Sequence, residues 1–181
     1  MKTRCRSWVW LIGFSMLTLT GCGAPIGWLV NAFAPPQKVE PEYVLPQGQC
    51  VLVFVDDMIN PVNYEPIKSD LTAVINGNLL QYAGVAETIS YEEILTLMSA
   101  DSNFNQMSIS EIGDRLGADL VVYVQIKKFS LKDDDSTLLW KGQLEATVRV
   151  VKVGEGRLWP EDRPGGHPIR PVETPSTANS A

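Results

Sequence analysis

The chain has 181 residues, a formal net charge of −6 and 45% hydrophobic residues, which is the composition of an ordinary globular protein. This length accommodates one domain with tails. No basic cluster follows the first six residues. Because nucleic-acid binding depends on lysine and arginine side chains that neutralise phosphates, we expect no nucleic-acid partner.

The first element in chain order is a secretory leader. Lys2, Arg4 and Arg6 form a positive head, and residues 8–20 are apolar apart from small hydroxyl side chains and one glycine. This apolar stretch is shorter than the ~20 residues that cross a bilayer, so we expect it to be removed. The predicted signal peptide covers residues 1–21.

Cys22 closes the leader, and Leu19-Thr20-Gly21-Cys22 resembles the lipobox of bacterial lipoprotein precursors. The resemblance implies that the Cys22 thiol carries a diacylglycerol, so that the lipid anchor makes the membrane a partner. Gly23 stands where inner-membrane lipoproteins of enteric bacteria carry aspartate, which favours the outer membrane, facing the periplasm. Inner-membrane anchoring and surface exposure stay open, as does ordinary secretion with an incidental cysteine.

Residues 22–47 are predicted to form a lipidated, proline-rich tether. Prolines spaced through this segment block regular helix and favour an extended spacer. They are Pro25, Pro35, Pro36, Pro41 and Pro46. Within the tether, residues 26–34 are apolar, so they either dip into the lipid headgroup region or touch the domain.

The folded domain is predicted over residues 48–159. Residues 51–55 are a continuous apolar run, which is typical of a strand buried on both faces. Pro66 suits the first turn of a helix with apolar residues at helical spacing, and Gly84 suits its end. Residues 85–90 are a weaker strand candidate.

Two capping-box signatures predict two further helices. Ser90 with Glu93, and Ser108 with Glu111, each place a serine three residues before a glutamate and ahead of an apolar pattern. Gly117 is expected to end the second of these helices.

Two long strands follow, over residues 119–126 and 138–150, with a polar turn at 133–136. Even positions of the second strand are apolar or glycine, so Trp140 is expected in the core and the odd positions form a wet face. The order β-α-β-α-α-β-β predicts an α/β (α+β) fold. Its mixed sheet ends in an antiparallel hairpin and carries helices on the sheet.

The end of the chain is proline-rich, so residues 160–181 are predicted to be a disordered tail. Trp159 lies just before this tail, where it is placed to clip the tail back onto the domain.

A short motif adds a family resemblance. Leu116-Gly117-Ala118-Asp119, followed at once by the apolar strand 120–126, is similar to a pattern in lipoproteins of envelope-assembly machines. These are the amino-terminal domain of the Tol-system propeller protein, the curli-secretion lipoprotein and the lipoprotein activators of peptidoglycan synthases. The resemblance implies their fold and compartment, and no catalytic residue comes with it.

Candidate chemistry is confined to carboxylates. Nucleotide-binding, esterase and zinc motifs are absent, and the only histidine, His167, lies in the tail, so we expect no cofactor and no bound metal. Asp56 and Asp57 follow the first strand, where open α/β sheets place ligand crevices. They either hold a cation or act as acid and base, or they bond backbone amides toward residues 60–61. Residues 133–135 either imitate part of a calcium loop or form a solvated turn.

Cys50 is an unpaired cysteine in an exported protein, so it is a reactive thiol, an intermolecular partner or a small, half-buried residue at the start of a strand. Taken together, the sequence predicts a non-enzymatic, lipid-anchored periplasmic module that binds another envelope protein. A carboxylate-dependent or metal-assisted periplasmic hydrolase and a purely structural envelope lipoprotein are the alternatives.

Overall fold

The computed structural model describes residues 40–59, 61–64, 66–133, 136–175 and 177–178. Glu42–Ala181 form one compact unit, and only Glu40 and Pro41 are described in the other unit, Met1–Pro41. The predicted signal peptide, and the tether as far as residue 39, therefore lie outside the described residues. The elements are β1 (Cys50–Asp56), α1 (Ile67–Tyr82), β2 (Glu87–Ile89), α2 (Tyr91–Ala100), a 3-10 helix (Phe104–Gln106), α3 (Ile109–Arg115), β3 (Leu120–Asp133), β4 (Ser136–Lys152), β5 (Gly156–Trp159), β6 (His167–Pro168), β7 (Val172–Glu173) and β8 (Thr177–Ala178).

These strands form one mixed sheet in the order β2-β1-β3-β4-β5. β1 is parallel to both β2 and β3, whereas β3 and β4 are antiparallel. The predicted order of elements and the α/β (α+β) class are confirmed, with helices on the sheet and a hairpin after the last helix.

The sheet is buried on both faces at β1. Val51, Leu52 and Val53 are each 0% exposed, because α1 packs on one face while α2 and α3 pack on the other. Successive strand residues point to opposite faces, so a strand covered on both sides needs apolar residues at every position. This confirms the interpretation of the apolar run 51–55.

Both predicted capping boxes are present. The Ser90 backbone N–H donates to Glu93 Oε1 at 3.0 Å, and the Ser108 backbone N–H donates to Glu111 Oε2 at 2.8 Å. In each box the serine hydroxyl accepts the backbone N–H of the same glutamate. The two boxes satisfy amides that have no partner within the helix, which fixes where α2 and α3 begin.

The Leu-Gly-Ala-Asp motif joins α3 to two strands. Gly117 has φ +75°, a left-handed conformation that reverses the chain after the helix. Asp119 then bonds the first residue of β1 twice. Its Oδ2 accepts from Cys50 N–H at 2.8 Å, and its own N–H donates to the Cys50 carbonyl at 2.9 Å. The motif therefore sets the start of β3 beside the start of β1.

The hairpin runs beyond the rest of the sheet, and this overturns the prediction for Trp140. β1 pairs with β3 only as far as Gln125, whereas β3 and β4 continue to pair as far as Asp133 and Ser136, through three register shifts. Trp140 lies opposite Lys132 in that extension and is 44% exposed. Trp140 occupies one of the apolar, even-numbered positions of β4. The extension of the hairpin lies past the part of β3 that pairs with β1, so the Trp140 side chain is not in the core.

The segment after Trp159 differs from the predicted disordered tail. β6, β7 and β8 pair antiparallel with successive stretches of β4. Prolines remove donors, but the residues between them supply bonds, such as Ile169 N–H to the Ala146 carbonyl at 3.0 Å. β4 is much longer than β5, so its outer edge offers unpaired backbone groups that the tail covers.

Candidate functional site

The predicted lipid-attachment residue, Cys22, lies outside the described residues. Acylation there stays a prediction that rests on the lipobox. The described part of the chain has three candidate sites: the carboxylates after β1, an apolar groove on the α1 face of the sheet, and Cys50.

Asp56 and Asp57 both bond backbone amides in the loop after β1. Asp56 Oδ1 accepts from Met58 N–H at 2.9 Å, and Asp57 Oδ2 accepts from Val62 N–H at 3.1 Å. The remaining oxygen of each carboxylate is also engaged. Tyr123 donates its hydroxyl to Asp56 Oδ2, and Lys68 Nζ lies 2.6 Å from Asp57 Oδ1.

These partners set the protonation states of the cluster. Burial opposes ionisation of Asp57, but the Lys68 ammonium and the Val62 amide outweigh it and hold the pKa of Asp57 below its usual value. Burial, with the hydrogen bond to Asp56 and its charge, raises the pKa of Tyr123 to about 12. Tyr123 is therefore a neutral donor, and both carboxylates are occupied by protein groups. This is the backbone-bonding alternative from the sequence.

A cavity of about 140 Å³ adjoins the two carboxylates, which is roughly the space of one side chain. Among the described residues, no group of three or more histidine, cysteine or acidic side chains is placed to hold a metal ion. Each oxygen of Asp56 and Asp57 is engaged by a protein group, which favours a structural role for the pair.

Sequence reasoning missed the polar row that continues from Asp56 along β3. Gln125 Nε2 donates to the Tyr123 hydroxyl at 3.5 Å, and Lys127 donates to Gln125 Oε1. The Arg149 guanidinium lies 4.5 Å from the centroid of the Tyr123 ring. The alternation of residues along each strand places these side chains on the face away from α1, and this was the available signal. That Arg149 lies opposite Tyr123 depends on the register between β3 and β4, which the sequence does not show.

An apolar groove of about 780 Å³ lies on the α1 face of the sheet. Leu79 of α1 and three valines of the sheet line it, namely Val122, Val148 and Val150. The chain entering β1, at Tyr43 and Leu45, lines it as well, and so do Trp159 and the tail around β6. The groove is therefore built by segments from both ends of the described chain.

Aromatic rings form one wall of this groove. The Trp159 ring stacks on Tyr43 with centroids 5.7 Å apart, and its centroid lies 4.8 Å from that of His167. His167 Nε2 in turn lies 3.0 Å from Glu42 Oε2. The prediction that Trp159 clips the tail onto the domain is confirmed. Roles for Tyr43 and His167 were not predicted, because they depend on a contact between distant parts of the chain.

The close approach of the tail to β4, just before β6, depends on a glycine. Gly166 has φ +90°, and a Cβ there would lie 3.0 Å from Arg149 Cγ and 3.1 Å from the Val148 carbonyl oxygen. No other residue fits this close approach without strain, so Gly166 allows β6 to pair with β4 and to complete the groove.

Cys50 is a half-buried free thiol at the first position of β1. Burial raises its pKa, and the carboxylates of Glu87, Asp119 and Glu93 raise it further. A raised pKa lowers the thiolate fraction, so the structure supports the unreactive alternative for Cys50. Of the predicted turn at residues 133–136, Asp134 and Asp135 lie outside the described residues.

No protein-family model matches the chain, and no curated protein matches it by sequence. Similar solved structures include the lipoprotein GNA1162 from Neisseria meningitidis, with 12% identity over 71% of this chain and 79% of that chain, at a TM-score of 0.42. A dodecameric PelC from Paraburkholderia phytofirmans matches at 12% identity over 63% of this chain and 68% of that chain, with a TM-score of 0.42. The LpoB C-terminal domain from Salmonella enterica matches at 13% identity over 84% and 92%, with a TM-score of 0.38.

A structure described as a bacterial lipoprotein is thus among the similar ones, but the TM-scores of all three lie below 0.5, so no function follows from them. In the described part of the chain, no helix has the length and apolar character that crossing a membrane requires.

Proposed function

We propose that the protein is a lipid-anchored module of the bacterial envelope, acylated at Cys22 and facing the periplasm from the outer membrane. Its role is to bind another envelope protein, and the apolar groove is the binding surface. The observation that carries this proposal is the groove itself, an aromatic-walled apolar concavity on a domain whose candidate catalytic pair, Asp56 and Asp57, is engaged by protein groups.

The dimensions and chemistry of the groove support binding. Its volume of about 780 Å³ lies in the range of ~300–1,000 Å³ that is typical of ligand sites. Aromatic side chains such as Trp159 and Tyr43 contribute large apolar area at low entropic cost, which is why they are enriched in the centres of interfaces. A partner's apolar side chains would gain roughly 25 cal/mol for each Å² that they bury there.

The hydrolase alternative requires Asp56 and Asp57 to be available for a cation or a water. Each carboxylate already has a protein partner on both oxygens. These contacts favour a structural role for the pair. They support a binding protein over an enzyme.

Site-specific photocrosslinking tests the proposal in cells that process lipoproteins. A benzoylphenylalanine at position 43 replaces the aromatic ring that lines the groove, and the same residue at position 82 replaces Tyr82, which is 74% exposed on α1. We expect a covalent adduct of one defined mass at position 43 and none at position 82.

A blocking variant makes the result specific to the groove. Ile169→Glu introduces a charge into its wall and should abolish the adduct while circular dichroism shows an unchanged fold. Equal adducts at both positions, an adduct that survives Ile169→Glu, or crosslinking to lipid alone would each contradict the groove as a protein-binding surface.

A further inference from the structure

Four large apolar side chains are exposed near the carboxyl end of β1. Met58 and Ile59 follow β1 and are 70% and 65% exposed, and Leu95 and Met98 of α2 are 45% and 42% exposed. Met58 and Met98 line the same cavity, and Leu95 lies beside Met98 because residues three apart on a helix are neighbours. Single exposed apolar side chains are ordinary, whereas a contiguous group is typical of a binding surface. We call these four residues the methionine patch.

The methionine patch and the apolar groove lie on different sides of the sheet. Leu79 of α1 lines the groove, whereas Ile94 of α2 packs on the opposite face and lines the cavity beside the patch. No residue lines both the groove and this cavity. A role for the patch therefore does not depend on what the groove binds.

The cavity of about 140 Å³ beside Asp56 and Asp57 has the size of an anchor site for one side chain. Besides the two methionines of the patch, Phe54, Ile94 and Phe104 give it apolar walls. Its volume is well below the ~300 Å³ at which small-molecule sites begin. Protein partners often insert one side chain into such a pocket, and flexible methionines adapt to what is inserted. The cavity is therefore suited to one apolar side chain of a protein partner.

Carboxylates border the anchor cavity on the side of α1 and the beginning of α2. Tyr91 lines this cavity and also a neighbouring one, which Asp70 and Glu92 line, so both carboxylates lie close to the patch. The nearby cation is already paired, since Lys68 Nζ lies 2.6 Å from Asp57 Oδ1. The border of the patch is therefore negatively charged.

The whole segment that carries α2 and α3 is acidic. Residues 87–119 hold one basic residue, Arg115, which lies 2.9 Å from the carboxylate of Asp101. The seven acidic residues of this segment are Glu87, Glu92, Glu93, Asp101, Glu111, Asp114 and Asp119. Like charges repel, so this surface opposes a second copy of the chain and an anionic lipid surface. It attracts a partner that carries lysine or arginine.

We propose that the methionine patch binds a segment of another protein in which an apolar side chain is flanked by lysine or arginine. The apolar side chain enters the anchor cavity, where its burial supplies most of the binding free energy. The basic flanks face Asp70 and Glu92, which speeds association and sets the orientation of the segment. With a partner in the apolar groove as well, the domain contacts two proteins on opposite faces of its sheet.

Selection of random peptides displayed on phage tests this proposal, with the full-length lipidated protein in detergent as the target. Counter-selection against Leu95→Asp in the same detergent removes peptides that bind the groove or the micelle. We expect the enriched sequences to place an apolar residue between lysines or arginines. Enrichment of acidic sequences, or no enrichment over the counter-selection, would overturn the proposal.

Calorimetry with a synthetic copy of an enriched peptide compares matched variants. Leu95→Asp should weaken binding at least tenfold, because an apolar contact of leucine size corresponds to about that ratio. Leu131→Asp changes a leucine of similar exposure, 40%, on β3 and should leave the affinity within about twofold. Ile169→Glu, which blocks the groove, should also leave it unchanged, so failure of the patch and failure of the groove are distinguished. Equal loss in Leu95→Asp and Leu131→Asp, with folding confirmed by circular dichroism, would contradict the patch as the binding surface.

Methionine methyl resonances in NMR spectra locate the bound peptide. The described residues include three methionines, and Met107 packs against the core without lining the anchor cavity. The peptide should shift the methyl resonances of Met58 and Met98 more than that of Met107. A peptide in which glutamine replaces the basic residues should bind more weakly and lose its dependence on salt. Unshifted Met58 and Met98, or equal affinity for the glutamine peptide, would refute the proposed partner chemistry.

Discussion

Gly113 and Gly77 allow a matched test of how tightly α3 packs on the sheet. Both are helical glycines, so replacement by alanine gains about 1 kcal/mol of helix propensity at either position. A Cβ at Gly77 meets no atom within 4 Å, whereas a Cβ at Gly113 would lie 2.6 Å from Val121 Cγ2 and 2.8 Å from Val153 Cγ2. The two substitutions therefore share the propensity gain and differ only in space.

The clash at Gly113 is expensive to relieve. Both contacts are with valines, whose β-branched side chains have few alternative rotamers, and Val121 is 0% exposed in the core. Overpacking of a filled core costs ~1–3 kcal/mol, and two contacts this short place the cost at the upper end. Subtracting the propensity gain, we expect Gly113→Ala to lose about 2 kcal/mol and Gly77→Ala to gain about 1 kcal/mol.

Urea unfolding followed by circular dichroism measures both free energies, with constant m-values as the check that unfolding stays two-state. The double variant Gly113→Ala/Val153→Ala should lose less stability than the two single changes added together, because shortening Val153 relieves one contact. The reasoning is refuted if Gly113→Ala is as stable as Gly77→Ala to within about 0.5 kcal/mol. Such a result would mean that α3 accommodates the added methyl group without a costly clash against Val121 and Val153.

Three further predictions concern the anchor and the carboxylates. Cys22→Ser should leave an uncleaved precursor without lipid, whereas mass spectrometry of the wild-type amino-terminal peptide should show an added lipid mass on Cys22; an unmodified amino terminus elsewhere would return the protein to ordinary secretion. Asp57→Asn should cost about 1–2 kcal/mol at neutral pH through the lost Lys68 contact. Folding lowers the pKa of Asp57, so the carboxylate contributes fully to the free energy of unfolding above the ordinary aspartate pKa of about 4. This contribution is lost as the pH falls through the lower pKa of the folded state. The free energies of unfolding of wild type and Asp57→Asn should therefore become similar in acid. Tyr123→Phe should cost about 1–3 kcal/mol because Asp56, which is 9% exposed, loses a donor; a variant as stable as wild type would show that this bond is unimportant.

Local patterns in the sequence determined the elements of the described domain. The run 51–55, the two capping boxes and Gly117 each act over a few neighbouring residues, so their physical effect is visible without knowing the fold. Short-range hydrogen bonds and strand or helix periodicity decide such features, and the order of elements then limits the sheet to few topologies.

Tertiary structure alone decided which surfaces are open. Trp140 lies at an apolar position of β4, yet it is exposed because the hairpin extends past the end of β1. The residues after Trp159 pair with β4 because β4 is longer than β5 and has backbone groups that β5 does not reach. The apolar groove brings Tyr43 and His167 together. Each depends on contacts between residues far apart in the chain, and no local pattern encodes which distant segment will meet them.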